Sequence, residues 1–265
     1  LGQNFLVDNN IKDKILNFLE LDSSDTVVEI GPGFGMMTFD LAERCKRVIA
    51  VDNDERICRI MSDRCGNAGN ITLVNADILD VDISSFAEGT RGLVVYGNIP
   101  YSISTPIIEK LIESRRGINT VYMVVQQELA ARIAAHPGTK EYGSLSCFIQ
   151  YHSAVKKLFR ISRNCFYPRP KVDSCFLRFR MLGSPSVGVS DERVMFGIIR
   201  KAFSQRRKKV INPLSGRGPF SMDRGTWENI FDSCGIDPAR RAETLSLSDY
   251  AMLADAVKEA LDSRG

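Results

Sequence analysis

The sequence predicts an α/β chain with a parallel sheet covered on both faces, followed by a small all-helical C-terminal domain. Short β-branched runs alternate with helical patterns over the first three quarters, as βαβ units do. Those runs are near-continuously apolar, which marks strands buried on both faces rather than on one. After the Gly183-Ser184-Pro185-Ser186 stretch the apolar residues recur at helical spacing instead. The chain has 265 residues, 44% hydrophobic and 25% charged. That is room for two domains of about 150 residues each and excludes a collagen, a coiled coil or a disordered tail. No run approaches the ~18 apolar residues of a membrane-spanning helix.

Taken in order, Ile11, Ile15, Leu16 and Leu19 fall on one face of a first helix. Residues 26–30 read as a strand, Gly31-Pro32-Gly33-Phe34-Gly35 as a tight loop, and the next helix runs to about Arg44. A second strand, 48–51, ends at Asp52 and precedes a helix over 54–65. Strands at 71–74 and 93–96 lead to Asp77 and Asn98, a helix starts near Pro106, and 121–125 forms a fifth strand. Strand-like runs at 155–161 and 174–180 flank the proline-rich Phe166-Tyr167-Pro168-Arg169-Pro170. From Asp191 onward the pattern is helical, with breaks at Pro213, 216–219 and Asp237-Pro238. The domains expected are therefore 1–183 and 184–265.

The net charge of +3 conceals a strong asymmetry. Between Lys156 and Arg217 sixteen Lys and Arg face three acids, a net of +13, so the rest of the chain sums to −10. Such a segment suits a polyphosphate partner, because each neutralised phosphate releases counterions. The seven cysteines (45, 58, 65, 147, 165, 175 and 234) include no Cys-x-x-Cys pair. This predicts reduced thiols used as small hydrophobes, with neither a disulfide framework nor a metal site. Leu1-Gly2-Gln3-Asn4 lacks the charged-then-apolar layout of a signal peptide, so a cytoplasmic setting is expected. A monomer is the default.

The candidate site lies at the carboxyl ends of four strands, where open α/β sheets bind ligands. Glycines 31, 33 and 35 let the backbone approach a ligand and leave amides free at a helix start. Asp52, 21 residues after Gly31, can accept ribose hydroxyls, a geometry shared by NAD and S-adenosylmethionine sites. Asp77 follows 25 residues later, placed for an adenine amino group, and Asn98 another 21 on. Asn98-Ile99-Pro100-Tyr101 has no evident use in a dehydrogenase and resembles the (Asn/Asp)-Pro-Pro-Tyr element of amino-group methyltransferases, a resemblance that implies S-adenosylmethionine and an amino-group acceptor. An exocyclic aromatic amine is a poor nucleophile because its lone pair is delocalised. Two carbonyl acceptors, that of Asn98 and one of the backbone, would hold its protons and turn the lone pair toward an electrophile. Pro100 fixes the backbone and offers no competing donor, and Tyr101 would stack on the base. His136 and His152 lie in no such pattern and read as structural.

Asn98-Ile99-Pro100-Tyr101-Ser102-Ile103-Ser104-Thr105-Pro106 resembles the ribosomal RNA adenine dimethyltransferase family, closest to its bacterial small-subunit (KsgA-type) members. Leu1-Gly2-Gln3-Asn4-Phe5-Leu6, Glu29-Ile30-Gly31-Pro32-Gly33, the stretch from Phe166 to Ser174, Phe203-Ser204-Gln205-Arg206-Arg207-Lys208 and the stretch from Gly235 to Glu243 resemble it too, in order along nearly the whole chain. The resemblance implies a Rossmann-like S-adenosylmethionine-dependent methyltransferase domain with a small all-helical C-terminal domain. It implies S-adenosyl-L-methionine as donor and N6,N6-dimethylation of two adjacent adenines near the 3′ end of small-subunit (16S-type) ribosomal RNA, within a partly assembled subunit. Gln3, Asn4 and Leu6 would close over the cofactor, and Gly31 and Gly33 would approach its methionine portion. Asp52 and Asn53 would hold the ribose, Asp77 and Ile78 the adenine, and Asn98 the reaction zone. Phe166 would face Tyr101 across the target base. Arg160, Arg163, Arg169, Lys171, Arg206, Arg207, Lys208 and Lys209 are the expected RNA contacts. Asp52 departs from the Glu of the family pattern, and Ile99 from the commoner Leu. The alternatives are a non-catalytic ribosome-assembly or transcription factor on the same scaffold, against which the intact Asn98–Tyr101 element speaks, and a large-subunit RNA adenine methyltransferase, against which the proline-rich loop and the stretch 235–243 speak.

Overall fold

A computed structural model describes residues 4–66, 68–215, 220 and 222–263. The break expected at 216–219 lies outside them. The elements run β1 (Phe5–Leu6), α1 (Asn9–Phe18), β2 (Thr26–Ile30), α2 (Thr38–Ala42), β3 (Arg47–Asp52), α3 (Glu55–Cys65), β4 (Ile71–Asn75), β5 (Leu93–Asn98), α4 (Ser104–Glu113), β6 (Ile118–Gln126), α5 (Gln127–Ile133), α6 (Ser144–His152), β7 (Ser153–Ile161), β8 (Phe166–Tyr167), β9 (Ser174–Met181), α7 (Glu192–Phe203), α8 (Ile211–Leu214), α9 (Arg224–Ser233) and α10 (Leu247–Asp262). Capping fixes several helix starts. Asp8, Asp54, Asp191 and Asp223 each accept from backbone N–H groups of the first turn, and Ser246 with Asp249 forms a capping box.

Seven strands form one sheet in the order β4-β3-β2-β5-β6-β9-β7. The first five are parallel, as their apolar runs predict, while β9 and β7 pair antiparallel. The sheet is thus mixed rather than parallel throughout, since β9 runs against both β6 and β7, and among the described residues the proline-rich connection from β7 to β9 contains no crossover helix. The chain leaves β2 toward β3 and β4, then crosses to β5 and β6 on the other side. The carboxyl ends of β2 and β5 therefore flank the point where the strand order reverses. On one face Val27, Val48, Ala50, Val94 and Tyr96 pack with Ile15 and Leu16 of α1 and Leu41 of α2. On α4, Ile107, Ile108, Leu111 and Ile112 are buried.

The chain divides into two compact units, 1–130 with 153–181 and 131–152 with 182–265. This differs from the single boundary expected at 183/184. Residues 131–152 group with the C-terminal helices because their large side chains are part of that core. Tyr142, Cys147 and Tyr151 join Met195, Ile198, Trp227, Phe231 and Tyr250. Tyr151 meets Phe196 edge-on with ring centroids 5.2 Å apart, and Gln150 Nε2 donates to the carbonyls of Ile133 and Ala135 at 2.8 Å. His152 is buried among Phe148, Tyr151 and Phe196. Among the described residues no helix is long and apolar enough to cross a membrane, and all seven cysteines are free.

This grouping predicts the order of local unfolding. In native-state hydrogen exchange the amides of α6 should open with those of α7 and α10. Opening of α6 together with β2 and β5 would contradict it.

Candidate active site

Two neighbouring cavities, of about 440 and 250 Å3, lie at the carboxyl edge of the sheet, and Gly31, Asp52 and Pro100 line both. Each is formed where a strand hands the chain to a loop. At the end of β2, Gly31, Gly33 and Gly35 take φ values of +71°, +54° and +80°, a region side chains disfavour. Gly35 has a second reason to be glycine, since a Cβ there would lie 2.7 Å from the Phe39 ring and 2.9 Å from the Met61 side chain.

The larger cavity is lined by Asn4, Phe5 and Leu6 from the N-terminal strand, by the glycine loop, and by Glu29, Asp52, Arg64, Tyr96, Asn98 and Pro100. Gln3 lies outside the described residues. The smaller cavity is lined by Asp52, Asn53, Asp77 and Ile78, with Ile99, Ile103 and Ile107 forming apolar walls suited to a flat ring. Asp77 Oδ1 accepts from Leu79 N at 2.9 Å, a turn contact that orients the carboxylate.

Asp52 is buried, and burial is the main reason its carboxyl lies above its ordinary value. One oxygen accepts from Asp54 N at 2.9 Å, while Oδ2 has no partner among the described residues. Asp52 thus keeps Oδ2 wholly available to a ligand. Asn98 Nδ2 donates to the carbonyl of Asn4 at 3.1 Å. That bond commits one of the two N–H donors and orients the amide, with Oδ1 left as an acceptor. The Pro100 carbonyl accepts from Ile103 N and from Ser104 Oγ, each at 3.2 Å. The Tyr101 hydroxyl shares a 2.7 Å hydrogen bond with Ser174 Oγ, which fixes the ring of this half-buried residue.

Three residues at the larger cavity escape sequence reasoning. Glu29 is 1% exposed on the central strand and paired in register with Tyr96, and Glu29 Oε2, Tyr96 OH and the nearby Thr38 Oγ1 lack partners among the described residues. Burial pushes the Glu29 carboxyl up to about 7, the Thr38 hydroxyl pulling the other way and Asp52 adding to the rise. Arg64, from the last turn of α3, donates to the Phe34 carbonyl and lies over the Phe39 ring. The available signal for Glu29 was a carboxylate inside a five-residue strand with no other charge. Nothing local marks Arg64, which reaches the site across 30 residues.

Other expected residues sit differently from the sequence reading. Phe166 is 3% exposed, packed in the core opposite Leu6, and neither cavity lining includes it or Tyr101. The Arg160 guanidinium is paired with Asp173, whose carboxyl is held below its ordinary value by the Arg163 backbone N–H and by Arg160. Arg163 Nη1 donates to the Lys171 carbonyl at 3.1 Å, while Arg169 and Lys171 project as exposed side chains. Arg206 to Lys209 occupy a turn after α7 rather than a helix. There Arg206 Nη2 bonds the carbonyls of Lys140 and Tyr142 at 2.6 and 2.7 Å, a structural engagement, and Lys209 bridges to the Arg241 backbone. Arg207 and Lys208 are exposed.

A family model described as ribosomal RNA adenine dimethylase matches residues 1–258. The chain belongs to the ribosomal RNA adenine dimethylase family. It is 40% identical over 263 residues to proteins of Bacillus cereus and Bacillus anthracis named ribosomal RNA small subunit methyltransferase A, covering 97% of this chain and 90% of theirs. Among solved structures, a dimethyladenosine transferase from Plasmodium falciparum superposes with a TM-score of 0.78 at 26% identity, covering 94% of this chain and 95% of that one. The 23S ribosomal RNA methyltransferase ErmE gives 0.72 at 25% identity, covering 96% and 100%. The Rossmann-like dimethylase architecture expected from the sequence is thus found, with two antiparallel strands at one edge of its sheet.

Glu29 yields a prediction with a definite sign. A carboxyl raised from 4.5 to about 7 on folding lets the native state bind more protons between those values, so stability falls as pH rises through that window. The loss is complete above pH 7 and on the order of 3 kcal/mol. Glu29→Gln should therefore melt higher than the unsubstituted dimethylase at pH 8 and nearly equal to it at pH 4.5, by thermal unfolding without ligand. Equal melting at both values would contradict this.

Proposed function

We propose that this dimethylase-family member transfers methyl groups from S-adenosyl-L-methionine to N6 of adenines in small-subunit ribosomal RNA, converting two adjacent adenines near the 3′ end to N6,N6-dimethyladenine. The observation that carries this reading is Asn98. Its Nδ2 is fixed on the Asn4 carbonyl, leaving Oδ1 as acceptor beside a cavity of cofactor size. The family, and relatives named for the small subunit at 40% identity against 25% for the large-subunit enzyme ErmE, support the RNA and the subunit. A partly assembled small subunit as the physiological substrate, a monomeric enzyme and a cytoplasmic setting are parts of the same proposal.

The residues present fit S-adenosyl-L-methionine. Three residues lining the larger cavity, Glu29, Asp52 and Tyr96, carry buried oxygens without partners among the described residues, as expected of a site completed by a polar ligand. Asp52 Oδ2 would accept a ribose hydroxyl, and Asp77 the adenine amino group between Ile78, Ile99 and Ile103. Ionised Glu29 and Arg64 would take the ammonium and the carboxylate of the methionine portion. Gly31 and Gly33 let the chain pass close to it. When bound, the cofactor supplies an electrophilic methyl on a cationic sulfur and departs as neutral S-adenosyl-L-homocysteine.

The chain's task is positioning. Asn98 Oδ1 holds one amino proton of the target adenine. The second acceptor is the Ile99 carbonyl, since that of Pro100 is engaged by Ile103 and Ser104. Held this way the nitrogen would become tetrahedral, its lone pair turned toward the electrophilic methyl that the bound cofactor would supply. The alkylated nitrogen is acidic and releases its proton to water, so no strong base is required. Tyr101 stacks on the base, its plane set by Ser174. Phe166 supports the pocket from the core, and a stacking role for it would require its ring to come out of that packing. Arg163, Arg169, Lys171, Arg207 and Lys208 are the RNA contacts favoured by their exposure. Arg160, Arg206 and Lys209 would contribute while keeping their contacts within the chain.

Tritium transfer from labelled S-adenosyl-L-methionine to small subunits lacking the modification, followed by nucleoside analysis, should yield N6,N6-dimethyladenosine. Subunit binding without label would favour the assembly-factor alternative. Asn98→Ala should lower single-turnover transfer about 100-fold or more while cofactor affinity changes less than tenfold. Unchanged transfer would refute the acceptor role.

A further inference from the structure

Tyr167 stands apart from the other tyrosines. Five of the seven are buried and Tyr101 is half-buried, whereas Tyr167 is 72% exposed. It is not loosely held. β8 pairs antiparallel with β1, placing Tyr167 opposite Phe5 and Phe166 opposite Leu6. Successive strand residues point to opposite faces. Phe166 and Leu6 enter the core, so Tyr167 shares the outer face with Phe5, whose ring lies 5.0 Å from that of Phe34 at the larger cavity. Val7 N donates to the Cys165 carbonyl at 2.9 Å, and Arg163 Nη1 to the Lys171 carbonyl at 3.1 Å, closing the loop on either side. At its far end Ser174 holds Tyr101.

The surroundings are cationic and partly apolar. Arg163, Arg169 and Lys171 are exposed, Val172 is exposed beside them in the chain and Val7 across the β1–β8 pair, and the nearby acids are engaged, Asp173 by Arg160 and the Arg163 backbone and Asp8 by the first turn of α1. An exposed aromatic ring on a paired strand, with exposed cations beside it, suits a nucleobase flanked by its phosphates. An acidic peptide would use the charges but leave the ring's face without a matching flat partner.

We propose that Tyr167 is a stacking platform for an unpaired base of the RNA next to the reacting adenine, with Arg169 and Lys171 on the adjoining phosphates. It rests on the reading of the partner as RNA and adds a nucleotide subsite outside the cofactor cavities. Stacking holds the flanking base as the target adenine leaves its stack, which offsets part of that cost.

The test uses the full chain, saturated with S-adenosyl-L-homocysteine, titrated with a fluorescein-labelled single-stranded RNA bearing two adjacent adenines at several salt concentrations. Tyr167→Ala should weaken binding about 5- to 100-fold, with an unchanged slope of log affinity against log salt and unchanged affinity for S-adenosyl-L-homocysteine. Tyr167→Phe should bind like the unsubstituted protein. Arg169→Ala with Lys171→Ala should instead flatten the slope by about 1.4, roughly 0.7 for each phosphate of a single strand. Tyr167→Trp adds an exposed indole to a chain whose single Trp227 is buried, and RNA should quench it. Unchanged binding by Tyr167→Ala with no quenching in Tyr167→Trp would overturn the proposal, as would a loss that tracks weaker S-adenosyl-L-homocysteine binding. Failure of the unsubstituted protein to bind either this RNA or small subunits lacking the modification would overturn the parent reading instead.

Discussion

The site depends on β2 and β5 lying side by side in parallel, with Ile30 opposite Gly97. That pairing brings the glycine loop and Asn98 to one edge although 67 residues separate Gly31 from Asn98. A hypothetical Cβ on Gly31 would come within 3.9 Å of the Asn98 carbonyl, which measures how near the two segments pass. A slip of one residue would reverse every side chain of the strand. Glu29 would then leave the cavity face and Val28 would take its place.

The same register loads the site with polar groups that the chain itself does not satisfy. Glu29, Tyr96 and Asp52 carry buried oxygens without partners in or beside an otherwise apolar sheet core. Such atoms cost stability in isolation. A bound polar ligand offsets that cost, so cofactor binding and stability are coupled through these side chains. The cation-rich loop between β7 and β9 is different in kind. Its acid is internally neutralised by Arg160, its core contacts run through Phe166, and its outward groups remain available to solvent or to an anionic chain.

Much of this was legible in the sequence. Asp52 and Asn98 end their strands and Asp77 follows β4 by two residues, so the similar length of successive units places all three on one edge. Arg160 and Arg206 were less readable, since an arginine's charge is local but its partner, Asp173 or the Tyr142 carbonyl, is brought near by the fold. The two-residue strands β1 and β8 are too short for any period to show, so neither the burial of Phe166 nor the exposure of Tyr167 could be read. Residues 131–152 precede the last two strands of the sheet in sequence yet belong to the helical core through Tyr142, Cys147 and Tyr151. Only tertiary packing reveals that membership.

The account stands most directly on a crystal structure with S-adenosyl-L-homocysteine and an adenine-containing oligonucleotide. It predicts the purine amino nitrogen within hydrogen-bonding distance of Asn98 Oδ1 and the Ile99 carbonyl, with Asp52 Oδ2 on a ribose hydroxyl. A purine bound elsewhere, or an Asn98 amide presenting Nδ2 to the base, would contradict it.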